Sequence, residues 1–215
     1  MNTDQHRQEK NLVFDFGFLI RVDSWLCFLV AAEAGGNSLE WWRGAVSRRV
    51  PMQGTIIQIN VSQGGLPKRP IAQGRIGAIG LEGDAQAHPQ IHGGPRKAVL
   101  LIAAEVVDEL AARGYPVFYG ALGENLTMRG LDVRGLRIGD RLRAGGAIIE
   151  ITQVRVPCGQ LDVYGESLKG DLYDARVKAG DGGSPRWGRS GFYTSVVEAG
   201  AVATGDIITP VAQHA

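Results

Sequence analysis

From Met52 onward, short runs of β-branched residues are cut off by glycine again and again, and this limits the fold more than any other feature. Thr55 to Val61 alternates, with Ile57, Ile59 and Val61 on one face, and is read as a first strand. Gly74 to Leu81, Ala98 to Ile102, Leu131 to Val133, Arg141 to Arg143 and Ile148 to Val156 are read as further strands. The 31 glycines in 215 residues are about twice the usual share, so tight turns must be frequent. Such a pattern predicts a mainly β body, a barrel with a few short helices, α+β overall.

One helix stands out. Ala104 to Arg113 places Val106, Val107, Leu110 and Ala111 on one face, with Glu105 near its start and Arg113 at its end. Gly114 is placed to cap it, and Pro116 prevents continuation. Leu168 to Ala179 reads as one or two short helical pieces, with Leu172, Tyr173, Arg176 and Val177 on the inner face. The Ile138-Gly139-Asp140 and Thr204-Gly205-Asp206 stretches read as recurring hairpin corners.

Residues 1–51 differ from the rest and are read as an N-terminal extension or sequence upstream of a natural start at Met52; residues 52–211 form the domain and 212–215 a tail. Asn11 to Ala32 is apolar, but Asp15, Arg21 and Asp23 interrupt it. A charge near the centre of a spanning helix costs about 2.5–3.5 kcal/mol on insertion scales, so no membrane partner is expected. A net charge of +1 leaves no global footprint for nucleic acid. Cys27 and Cys158 lie far apart, which argues against a disulfide framework and fits a reducing, cytosolic setting.

Chemistry concentrates in three loops without a packing explanation: His92-Gly93-Gly94, Gly123-Glu124-Asn125 and Pro157-Cys158. Pro157 cannot donate to a β-ladder, so the strand before Cys158 must end or reach an edge there. Glycines beside His92 allow close approach of a ligand to the backbone. Glu124 and Asn125 supply an acceptor and an amide suited to a polar heterocycle. Lys68, Arg96, Lys97 and Arg155 are cations able to neutralise phosphate. A cysteine thiolate is both a nucleophile and a soft-metal ligand, whereas an unpaired cysteine can also be an inert core residue.

The ordered series of these motifs resembles the MOSC family, the domain at the C-terminus of molybdenum-cofactor sulfurases that also occurs as standalone bacterial proteins. The matching residues are Gly83-Asp84, His92-Gly93-Gly94, Lys97-Ala98-Val99, Gly123-Glu124-Asn125-Leu126 and Gly130-Leu131-Asp132-Val133. Ile138-Gly139-Asp140, Pro157-Cys158, Arg189-Ser190-Gly191-Phe192-Tyr193 and Gly205-Asp206 follow. The resemblance spans about Met52 to Val211 and is nearest to the standalone type named for 6-hydroxylaminopurine resistance.

That resemblance implies a β-barrel binding a molybdenum cofactor (Mo-molybdopterin), with Cys158 as the catalytic and metal-ligating residue. It further implies His92, Gly93, Gly94, Glu124 and Asn125 lining the pterin pocket, with Lys97 and Arg155 on its phosphate. The expected activity is reduction of small N-hydroxylated compounds, with electrons from a separate electron-donor reductase. No pyridoxal phosphate site is expected. A sulfur carrier holding a persulfide on Cys158, served by a cysteine desulfurase, is the alternative. A non-catalytic β-barrel interaction module is a third.

Overall fold

The structure, a computed structural model, describes residues 53–86 and 93–212. The expectations for residues 1–51, Cys27 and His92 fall outside them. In chain order the strands are β1 (Gly54–Val61), β2 (Arg69–Ile71), β3 (Gln73–Gly77), β4 (Gly80–Leu81), β5 (Val99–Ala103) and β6 (Leu126–Arg129). They continue with β7 (Arg141–Ala144), β8 (Ala147–Val154), β9 (Phe192–Glu198), β10 (Gly200–Ala203) and β11 (Ile207–Pro210). The helices are α1 (Ala104–Ala112), α2 (Leu168–Leu172) and α3 (Ala175–Lys178), with 3₁₀ turns at Pro95–Lys97 and Gly159–Tyr164.

Seven strands close a ring in the order β1-β11-β7-β8-β9-β5-β6 and back to β1. Closure comes from a short pairing, Gly54 opposite Ile208 and Thr55 opposite Ile207, and it removes the open edges a sheet would otherwise present. Every ring pairing is antiparallel except β5 with β6, which are parallel and connected through α1. Parallel neighbours need such a crossover, and α1 covers the barrel wall with Val106, Val107 and Leu110 buried. β2 extends the sheet beyond β1, and β10-β3-β4 form a second small sheet. The core is aliphatic, with Ile56, Ile59, Leu101, Leu126, Leu142, Ile149 and Phe192 fully buried.

The mainly β barrel agrees with the sequence expectation, but several details differ. A β-bulge between Ile56 and Gln58 shifts the inward face of β1, so Ile56 and Ile59 are buried while Ile57 is only half-buried. Gly74 to Leu81 is not one strand but the hairpin β3-β4, turning at the exposed Ile79. Leu131 to Val133 is irregular backbone running into a turn, and the strand is instead β6, formed by the residues just before it. Ala111 faces solvent, not the core. Leu168 to Ala179 folds as two helices, with Leu168, Leu172 and Val177 buried and Arg176 exposed.

Candidate functional site

The segments after β1 and β8 and those before β5, β6 and β9 gather around one cavity. It is lined by Gly65, Leu66, Lys68, Ala85, Gln86, Lys97, Leu100, Leu122, Gly123, Asn125, Arg155, Cys158, Gln160 and Tyr193. Its volume is about 60 Å³, enough for a few water molecules or for one end of a ligand. A larger molecule must extend beyond it.

Cys158 reaches this wall because β8 ends early. Val154 is the last paired residue of the strand, and the Arg155 amide donates to the Gly191 carbonyl (2.9 Å). Val156 is then exposed, Pro157 offers no donor, and Cys158 precedes the 3₁₀ turn, where its carbonyl accepts from the Leu161 amide (3.2 Å). The thiol is half-buried and free. Gly191 has φ +88°, and an added Cβ would lie 2.4 Å from the Leu101 carbonyl. Only glycine lets β9 meet β8 and β5 at this point.

Arg155 is 4 % exposed. One guanidinium nitrogen, Nη2, donates to the Leu122 carbonyl (3.1 Å), while Nη1 has no partner. Burial pushes Arg155 below the ordinary arginine value, opposed chiefly by its electrostatic interaction with the neighbouring Tyr193 side chain. Tyr193 lies on the same wall, and its ring is 5.7 Å from the Lys97 ammonium. Lys97 is positioned by the Pro95–Lys97 turn, which β8 holds through a hydrogen bond from the Thr152 hydroxyl to the Arg96 carbonyl.

The opposite wall is built on Asn125 and Lys68. Asn125 is 3 % exposed; its Nδ2 donates to Asp84 Oδ2 (2.8 Å) and the Asn60 carbonyl (3.3 Å), and its Oδ1 accepts from the Leu100 amide (3.1 Å). Both amide hydrogens are committed within the protein, so Asn125 presents at most the second lone pair of its oxygen to a ligand. Lys68 is ion-paired with Asp84, both almost wholly buried. Burial pushes the Lys68 ammonium below the ordinary lysine value, and Asp84 opposes that shift.

Glu124 is not on the cavity wall. It lies buried behind it, where Oε1 accepts from the Gly120 amide (2.6 Å) and the Thr127 hydroxyl (3.1 Å) and Oε2 has no partner. Burial pushes its carboxyl above the ordinary carboxylate value, against those hydrogen bonds. Glu124 therefore shapes the Gly120 turn, whose carbonyl in turn accepts from the Lys68 amide (2.9 Å). Gly93 and Gly94 also lie off the wall; Gly94, at φ +92°, opens the turn that carries Lys97. The structure thus brings together Lys97, Asn125, Arg155 and Cys158, and sets Glu124, Gly93 and Gly94 back. Sequence reasoning did not single out Tyr193, Gln160 or Gln86 as site residues. Tyr193 carried a signal, since it ends the Arg189-to-Tyr193 stretch of the family resemblance, whereas the two glutamines carried none.

The family model described as MOSC domain matches residues 88–209. The chain belongs to the MOSC domain family. Among curated proteins it is 34% identical over 145 residues to YflK of Bacillus subtilis (strain 168), described as uncharacterized, covering 66% of this chain and 60% of that protein. It is 36% identical over 94 residues to YiiM of Escherichia coli (strain K12), covering 40% of each. The chain thus spans only part of the length of both relatives. YiiM from Geobacillus stearothermophilus has a similar solved structure, with TM-score 0.56, 28% identity and coverage of 74% of this chain and 75% of that one. YiiM from Escherichia coli, at 23% identity and TM-score 0.56 over 77% and 72% of the two chains, shares the fold. Among the described residues no helix is long and apolar enough to cross a membrane.

Proposed function

We propose that this MOSC protein binds a molybdenum cofactor through the cavity and reduces small N-hydroxylated compounds, with the Cys158 sulfur as the protein ligand to the metal. The observation that carries the reading is the pairing of a half-buried thiol with an unpartnered guanidinium nitrogen on one cavity wall. A buried donor without a partner costs about 1–3 kcal/mol, and a bound anionic group would satisfy Arg155 Nη1. The donor set fits the cofactor in that respect: a soft sulfur for the metal, and Arg155 with Lys97 for a phosphate. With a cavity volume of about 60 Å³, most of a pterin would lie outside it.

When bound, the cofactor would supply the two-electron removal of oxygen from nitrogen, with electrons drawn from a separate reductase. This chain's own residues would do the rest. Cys158 would hold the metal, Arg155 and Lys97 the anionic end, and Asn125 would keep β1, β5 and the Asp84 side chain in register beneath it. The Leu122 carbonyl would fix the Arg155 guanidinium, with Tyr193 beside it on the wall.

The test uses full-length protein made in a cofactor-competent host, with hydroxylaminopurine reduction assayed beside a suitable electron donor. Cys158→Ser is expected to lose reductase activity. Retention of both molybdenum and full activity by that variant would refute the role of Cys158. Treatment with a cysteine desulfurase followed by mass spectrometry distinguishes the sulfur-carrier chemistry, which requires one added sulfur on Cys158.

A further inference from the structure

Asp84 is absent from the cavity wall, yet it controls two residues that form it. Its Oδ2 accepts from Lys68 Nζ and from Asn125 Nδ2 (2.8 Å), while Oδ1 accepts from the Ser62 amide (2.8 Å). The Lys68 and Asp84 side chains are 8% and 4% exposed, so water screens the pair little. The facing wall is different. Arg155 is equally buried, and its nearest acidic side chain in electrostatic terms is Glu124, whose burial favours the neutral acid. Two buried cations therefore look into one cavity, one neutralised by a carboxylate behind it and one with a donor to spare.

We propose that Asp84 is a specificity-determining residue that sets how much negative charge the cavity accepts, by cancelling Lys68 and leaving anion binding to the Arg155 side. This rests on the reading of the cavity as an anion-accepting site and goes beyond it by assigning its charge preference. A carboxylate placed for structure alone would be needed only for its hydrogen bonds to Ser62 and Asn125. A carboxylate that sets charge must be negative, and its removal must strengthen the binding of doubly charged anions. Charges in so poorly screened a site act strongly on one another, so removing the Asp84 charge is expected to change the affinity for a doubly charged anion about tenfold.

The experiment measures dissociation constants of sulfate and nitrate for the full chain without cofactor, at fixed ionic strength. Folding of each variant is checked by circular dichroism. Asp84→Asn is expected to bind sulfate about tenfold more tightly than the unsubstituted protein, with a smaller gain for nitrate. Lys68→Gln, which leaves the Asp84 charge uncancelled, is expected to weaken sulfate binding about tenfold, and it keeps the proposal testable if Asp84→Asn fails to fold. Adding Lys68→Gln to Asp84→Asn should abolish the gain. Unchanged or weaker sulfate binding by folded Asp84→Asn, or unchanged binding by Lys68→Gln, would overturn the proposal. Arg155→Gln separates this from the parent reading: if it too leaves sulfate binding unchanged, the cavity is not an anion site at all.

Discussion

The outer face of α1 and the wall of the cavity both carry clusters of charged side chains, and they satisfy them differently. On the outer face, Asp108 accepts from Arg129 and from the Tyr119 hydroxyl (2.7 Å), and Glu109 takes both terminal nitrogens of Arg189 (2.7 and 2.9 Å). The Asp108, Glu109 and Arg129 side chains are nearly half exposed. Such pairs contribute little individually, because water already solvates their charges. Around the cavity the groups are buried and incompletely paired: Glu124 Oε2 and Arg155 Nη1 have no partner. Burying charge without full pairing costs stability. Among the described residues a third such atom, Arg186 Nε, lies away from this cavity, but only Arg155 Nη1 shares a cavity wall with a free thiol, which is the contrast between this wall and the α1 network.

The largest expected effect that would break this contrast is on chemistry. Cys158→Ser should lower reductase activity at least about 100-fold, while urea unfolding changes by no more than about 0.5 kcal/mol, as for a substitution outside the core packing. A large loss of stability with activity intact would make Cys158 part of the scaffold. Next in size, Glu124→Ala should cost about 2–4 kcal/mol in urea unfolding, because it strands the Gly120 amide and the Thr127 hydroxyl in a dry setting and leaves a cavity. Asp108→Asn on the outer face should cost under about 1 kcal/mol.

The two regions should also respond oppositely to pH. Burial holds Glu124 above its ordinary value of 4.5, so the protonated acid favours folding. That contribution is complete below about pH 4.5 and is lost as pH rises through the folded-state value. Asp108 is held below its ordinary value of 3.8, first by the Tyr119 hydroxyl and then by Arg129. Its contribution is present above about pH 3.8 and is lost as pH falls through the folded-state value. Unfolding series across pH should show Glu124→Gln gaining on the unsubstituted protein as pH rises, and Asp108→Asn losing its deficit as pH falls. Parallel profiles would erase the distinction.

The barrel was legible wherever a strand had a local signature. The β-branched and apolar runs marked β1, β5 and β8, and the glycine-aspartate corners marked the turns before β7 and β11. The inward face of β1 was not, because a bulge depends on the partner strand β6 and leaves no mark in the alternation. Ring closure was equally hidden, since it joins residues about 150 positions apart through two residue pairs. At the site, Cys158, Lys97 and Asn125 were legible as polar or reactive residues in loops, and Arg155 as a cation near the end of an expected strand. The set-back of Glu124 was not: a carboxylate in a glycine-bounded loop reads as exposed until Gly120 and Thr127 are seen to bind it. Asp84 was visible only as part of a motif, and its hold on Lys68 and Asn125 needed the fold.

The most direct measurement is molybdenum and pterin content of the full chain purified from a cofactor-competent host, compared with Cys158→Ser made alongside. The expected result is near-stoichiometric molybdenum and pterin in the unsubstituted protein, and loss of most of the molybdenum in the variant. A folded, unsubstituted protein carrying neither metal nor pterin would contradict cofactor binding at this cavity.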